Sequence, residues 1–187
     1  PLDDYMKPLM KLGVDTWASF QQKALTKGAS AGKLAGTITH RQERRSKSGN
    51  KFAFIGFSDP TGQFEAICFS DTLAAARDLL EPGKAVIARV ECDVEGEEIK
   101  LRLQGVEVLD KAAATIVQGL TIFVRDNKPL DSIALRLAQG GRAPVRLILQ
   151  TGTGREIEMS LGNKFAITPQ IKGAIKAIQG VIDVHDL

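Results

Sequence analysis

From Lys33 to Leu109 apolar residues recur at every second position through five successive runs, and this change of period constrains the fold more than any other feature of the chain. The runs are KLAGTITHRQ (33–42), KFAFIGFS (51–58), QFEAICFS (63–70), KAVIARVECDV (84–94) and IKLRLQGVEVL (99–109). A period of two is the mark of a strand, so each run predicts one. DPTG (59–62) offers Pro and Gly for a tight reversal and predicts that the second and third strands pair antiparallel. DTLAAARDLLEPG (71–83) interrupts the alternation with an Asp cap, an Ala/Leu-rich body and a Pro-Gly stop, which predicts one short helix. EGEE (95–98) turns the fourth strand into the fifth. Three strands, one helix and two strands is the order of a small Greek-key barrel, the OB-fold.

The flanks follow other periods. Leu2, Tyr5, Met6, Leu9 and Leu12 recur at three- and four-residue steps, and Trp17, Phe20 and Leu25 continue past Gly13, so residues 1–27 read as helical. TKGASAGK (26–33) is a small-residue connector and DKAAAT (110–115) a linker. Beyond it, TIVQGLTIFV (115–124) predicts a strand and PLDSIALRLAQGG (129–141) a helix closed by glycine. APVRLILQT and REIEMSL form a hairpin across GTG (152–154), and KFAIT (164–168) is a further short strand. PQIKGAIKAIQG (169–180) has Pro in its first helical turn, and VIDVHDL ends the chain as a strand.

The expected fold class is therefore mainly β plus α+β. Residues 1–32 form a helical connector, 33–110 a five-stranded OB barrel that binds nucleic acid, and 111–187 a small α+β partner-binding domain with two helices on a sheet. Val117, Leu120, Ile122, Val124, Leu147, Leu149, Ile157 and Met159 are its expected core; Ile171, Ile175 and Ile178 at helical spacing are expected to join it, with a partner surface as the alternative.

With 187 residues, 43% of them hydrophobic, the chain can fill two modest cores. No run approaches the roughly 18 apolar residues of a membrane span, and no secretory signal pattern is seen, so a soluble protein is expected. Residue 1 is Pro, which suggests a piece of a longer chain. Cys68 and Cys92 fall in strand-like runs and are expected as buried thiols in a reducing compartment.

HRQERRSKSGNKFAF (40–54) carries Arg41, Arg44, Arg45, Lys47 and Lys51 around one glycine turn and then enters alternating phenylalanines. In an OB barrel this loop rises beside the groove that single-stranded nucleic acid follows, with the second and third strands as its floor. Cations there meet phosphates, and Asn50 and Phe52 join them, Phe52 as the stacking candidate. Phe54 and Phe57 are expected inside, with Phe64 and Phe69 at or near the core. Four acidic residues in DVEGEE (93–98) flank the groove's other side and repel phosphate, leaving Lys100 and Arg102 as secondary helpers. About five engaged cations predict a slope of roughly −3 to −4 for log affinity against log salt.

Residues 33–110 hold eleven Lys/Arg against thirteen Asp/Glu, so binding there rests on local charge; 111–187 hold ten against six. No catalytic residues, metal ligands or cofactor site are expected. His40 and His185 are lone histidines, Asp3–Asp4 begins a helix, and GTGRE lacks the Lys-Ser/Thr ending of a phosphate loop.

PLDDYMKPLMKLG, the stretch from KLAGTITHRQERRSKSGNKFAFIGFSDPTGQFEAICF onward, and EPGKAVIARVECDVEGEEIKLRLQGVEVLD together resemble the C-terminal region of the bacterial replicative DNA polymerase III alpha subunit, a match running from residue 1 to 187. The resemblance implies a DNA-directed DNA polymerase as parent chain, with catalytic aspartates elsewhere. It implies single-stranded template DNA on the barrel, the tau subunit of the clamp loader on the C-terminal domain, and a place in the replisome of the bacterial cytoplasm. The DPTG barrel is also similar to the anticodon-binding barrels of class II aminoacyl-tRNA synthetases, so an RNA- or tRNA-binding module and a pure protein-interaction scaffold are the alternatives.

Overall fold

The structure, a computed structural model, describes residues 2–116 and 119–187. Two compact units divide the chain, Pro1–Ala112 and Ala113–Leu187.

The first unit opens with helix α1 (Asp3–Met10), the two-residue strand β1 (Val14–Asp15) and helix α2 (Trp17–Lys27), then β2 (Ala31–Arg45), β3 (Lys51–Asp59), β4 (Gly62–Cys68), helix α3 (Ser70–Ala76), β5 (Ala85–Glu95), β6 (Glu98–Val108) and a helical turn α4 (Leu109–Ala113). The strands close in the order β2-β3-β4-β6-β5 and back to β2, a five-stranded OB barrel. β2 is long enough to join both neighbours: Ala31–Thr37 pair with β5 and Thr37–Arg45 with β3, so Thr37 stands in both ladders. β4 meets β6 in a short parallel pairing, Ala66 with Leu101 and Ile67 with Arg102.

Alternation puts Leu34, Ile38, Ala53, Ile55, Phe57, Ala66, Cys68, Val86, Ala88, Val90, Leu101 and Leu103 inside, and Leu73 and Leu80 plug the interior beside α3. Each large side chain so removed from water contributes about 1.5–3 kcal/mol. α2 adds Phe20 and Ala24 to the same core. Trp17 stacks on Phe64 at 5.3 Å and Phe64 on Phe57 at 5.0 Å, a continuous aromatic column. Asp59 secures this end. Its Oδ1 accepts from Thr61 N (2.7 Å) and Gly62 N (2.9 Å) and shapes the DPTG turn, while Oδ2 accepts from Trp17 N (2.6 Å) at the start of α2.

Four local expectations in the first unit are corrected. Phe54 is half-buried on the outer face, because β3 turns Ala53, Ile55 and Phe57 inward and Phe54 must face the other way. Phe69 is 51% exposed, since β4 ends at Cys68 and Phe69 occupies the N-cap of α3. That cap makes no side-chain hydrogen bond, and Asp71 lies in the first turn instead. Leu109, read as the end of the fifth strand, and residues 110–113 of the linker read over 110–115 form α4, with Leu109 and Ala112 buried.

In the second unit, β7 (Leu120–Val124), α5 (Leu130–Ala134), β8 (Ala138–Gln150), β9 (Glu156–Ala166), α6 (Pro169–Lys176) and β10 (Val181–Asp186) build a four-stranded sheet in the order β10-β7-β8-β9. Leu120, Ile122, Val124, Ile133, Val145, Leu147, Phe165, Ile167 and Ile175 form its core, with Ile171 and Ile178 packed against it. Val117, expected in this core, lies outside the described residues. The helix predicted over 129–141 is only α5. Residues 138–141 belong to β8, where Gly140 takes φ +89° and a Cβ on Gly141 would lie 2.0 Å from the Phe165 carbonyl oxygen. These glycines serve a bulge against β9 rather than a helix stop. KFAIT is not a separate strand either, since Lys164–Ala166 continue β9. Ile157 and Met159, expected in the core, are 49% and 38% exposed because β9 is the sheet's edge.

Candidate nucleic-acid interface

The hairpin β2–β3 projects a tight, ordered tip. Ser46 N donates to Asn50 O (2.9 Å), Gly49 N to Ser46 O (2.9 Å) and Asn50 N to Ser46 Oγ (3.2 Å), while Ser46 and Ser48 share a hydroxyl contact of 2.8 Å. Lys47 and the Asn50 side chain are exposed on this frame.

Register assigns the outer face in rows: Arg44 opposite Phe52, then Gln42 opposite Phe54 with Ile67 beyond, then His40 opposite Gly56 with Glu65 beyond. Phe52 and Phe54 meet edge to face at 5.7 Å, and the Arg44 guanidinium carbon stands 5.8 Å from the Phe54 ring centroid, a cation–π distance. A shallow cavity of about 290 Å³ adjoins them, lined by Ser46, Ser48, Asn50, Lys51, Phe52, Ile67, Phe69 and Ser70. Half-exposed rings with hydroxyls and cations beside them can take an unpaired base on a face and its phosphate at the edge.

At the hairpin mouth Arg45 and Lys51 are direct cross-strand partners. Like charges in that position repel, and among the described residues neither has a carboxylate partner. Lys47 and Arg44 likewise stand in no ion pair among the described residues. Four of the five loop cations are therefore free to meet an external anion.

The fifth is not. Arg41 Nη1 donates to the carbonyls of Arg77 (3.0 Å) and Leu80 (3.4 Å), and its Nε lies 3.6 Å from Glu43, so it holds the segment after α3. Lys100 and Arg102 are engaged as well, although Arg102 is the β6 partner of Ile67 and continues the row of Gln42, Phe54 and Ile67. Lys100 Nζ is 2.6 Å from Glu95, and Arg102 is 3.1 Å from Asp93 and 3.5 Å from Glu91, all on the neighbouring β5. The hydrogen bond and charge of Glu95 raise the Lys100 pKa. The aromatic side of the face thus carries free positive charge, and the β5–β6 side is neutralised by its own carboxylates.

Sequence reasoning missed Phe54, Phe69 and Ile67 as members of this candidate face. The two-residue step from Phe52 to Phe54 was the signal for the first. Phe69 carried none, since its exposure follows from where β4 stops.

A family profile described as an OB-fold nucleic acid binding domain, of the tRNA anti-codon type, matches residues 33–109. Among curated proteins, DNA polymerase III subunit alpha of Caulobacter vibrioides is 34% identical over 192 aligned residues that take in all of this chain. Its counterpart from Aquifex aeolicus is 26% identical over 73% of the chain. The chain spans only 17% and 12% of the length of those two proteins. A mitochondrial single-stranded DNA binding protein from S. cerevisiae superposes on 43% of the chain and 93% of its own, with 15% identity and a TM-score of 0.37.

Proposed function

The chain is related along its whole length to DNA polymerase III subunit alpha, and on that premise we propose that its barrel binds single-stranded template DNA across the outer face of β2, β3 and β4. Phosphates are met by Arg44, Arg45, Lys47 and Lys51, and bases by Phe52, Phe54 and Phe69, with Asn50 at the rim. Lys100 and Arg102 contribute little while β5 neutralises them. The observation that carries the reading is the Arg45–Lys51 pair: a like-charge cross-strand contact lowers stability by about 0.2–1 kcal/mol unless an anion comes to it. In this reading the chain binds and positions within a longer polymerase and performs no chemistry itself. The second unit docks the tau subunit of the clamp loader, a role supported by the resemblance of the whole chain.

Fluorescence anisotropy of labelled single- and double-stranded oligonucleotides across a salt series tests the barrel. Single strands should bind in preference, with a slope of about −3 for four cations. Reversing the charge of Arg44, Arg45 and Lys47 together should weaken binding at least tenfold at low salt while the fold persists. Unchanged affinity in that variant removes the loop from the site. Titration with purified tau, read by the same anisotropy or by calorimetry, tests the second unit.

A further inference from the structure

A second cavity lies wholly within the second unit. It encloses about 670 Å³ between the β7–α5 connection and the α6–β10 connection. The two connections are tied by the Arg125 amide donating to the Gly180 carbonyl at 3.2 Å. Arg125, Lys128 and Arg136 stand around its mouth with one carboxylate, Asp126, whose Oδ1 already accepts from the Lys128 amide at 2.9 Å.

Elsewhere in this unit Arg146 meets Glu158 (3.3 Å), Lys172 meets Asp186 (2.9 Å) and Lys176 meets Asp183 (2.9 Å), while Arg142, Arg155 and Lys164 stand in no ion pair among the described residues but do not line the cavity. The three bases of the cavity have no carboxylate partner among the described residues, and the only side-chain bond among them is Arg136 Nη1 to the Ser132 carbonyl at 2.9 Å. Forked guanidiniums with free donors around a concave surface suit a bidentate carboxylate.

The rest of the lining selects among anions. Pro129, Ala177 and Ile178 supply apolar surface, and no aromatic ring lines the cavity, so a base would have nothing to stack on. The geometry points to a docking site for an acidic peptide, in which Asp or Glu side chains meet Arg125, Lys128 and Arg136 and a neighbouring apolar side chain meets Ile178 and Pro129. This rests on the reading of the second unit as a partner-docking module, and it names the chemistry the partner segment must have.

The test uses the full chain and three probes: a fluorescein-labelled twelve-residue peptide of alternating Glu and Leu, the matching Lys and Leu peptide, and labelled dodecathymidylate. The acidic peptide should bind in preference to the basic one, and Arg125→Gln/Arg136→Gln should weaken it about tenfold without changing the thermal unfolding midpoint or thymidylate binding. Lys128→Glu is the second variant should the double change perturb the fold. Equal affinity of wild type and variants for the acidic peptide, or no affinity in the wild type, overturns the inference. Loss of thymidylate binding in the variants also overturns it and makes the cavity a nucleic-acid site. Parallel titration with tau separates the two readings. If tau binds wild type and variants alike, tau docking stands and the cavity is not its site. If the acidic peptide binds through these cations but tau does not, the site stands and its partner is another acidic protein.

Discussion

His40 Nε2 lies 3.0 Å from Glu65 Oε2, and it reaches that carboxylate by lying across Gly56 on the strand between them. A Cβ on Gly56 would fall 2.2 Å from His40 Cε1, so the pair exists only because the intervening residue is bare. The contact holds Glu65 at the margin of the aromatic rows. Gly56→Ala should expel the ring and cost about 1 kcal/mol in urea unfolding. In a Thr39→Ala/His40→Ala background the same change should be neutral or stabilising, because both side chains that the new Cβ would meet are gone and Ala restricts the unfolded chain more than Gly does.

Lys51→Glu separates stability from binding. Replacing one member of the Arg45–Lys51 contact by its opposite should raise stability by about 0.2–1 kcal/mol, measured by denaturant midpoint. The same variant should bind single-stranded oligonucleotide more weakly and with a shallower salt slope.

The rings contribute through stacking rather than charge. Phe69 is half-exposed, so Phe69→Ala should change stability by no more than about 0.5 kcal/mol. Oligonucleotide affinity should fall by about 1–3 kcal/mol with the salt slope unchanged, which anisotropy at several salt concentrations resolves.

Glu91→Gln, Asp93→Asn and Glu95→Gln together release Lys100 and Arg102 from β5. Affinity for single strands should rise a few-fold and the slope should steepen by about one to one and a half. Reversing Lys100 in the parent chain should change little by comparison.

Burial pushes the Cys68 thiol from its ordinary value of 9.0 up to about 11. Well below 9 the thiol is neutral in both states and contributes no pH dependence. Above 9 the unfolded chain ionises first, so stability falls as pH rises from about 9 toward 11. Urea midpoints at pH 7 and 10.5 should differ less in Cys68→Ala than in the parent chain. Ellman's reagent should react with Cys68 only on unfolding.

The barrel was legible because its order of runs leaves few ways to bury alternating faces, and the DPTG turn fixed one pairing. Face assignment along KFAFIGFS was harder. Apolar residues occupy both parities, and the small Ala53 rather than Phe54 turns inward because Ile55 and Phe57 share its parity. Arg41 could not be separated from Arg44 by sequence, since the carbonyls that hold it lie 36 and 39 residues away. Arg102 was more readable: a hairpin turning at residues 95–98 sets it opposite Glu91. In the second unit, AQGG has the composition of a helix end, and only the approach of Phe165 shows that its glycines admit a neighbouring backbone. The Asp59 link to Trp17 spans 42 residues and left no local trace.

Because Thr37 divides β2 into a half that seals the cylinder and a half that carries the cationic tip, the two tasks are mechanically separable. Residues inserted at 46–50 would extend the reach of the finger without loosening the seam at Ala31–Thr37, so its length can drift between related chains while the body beneath stays the same.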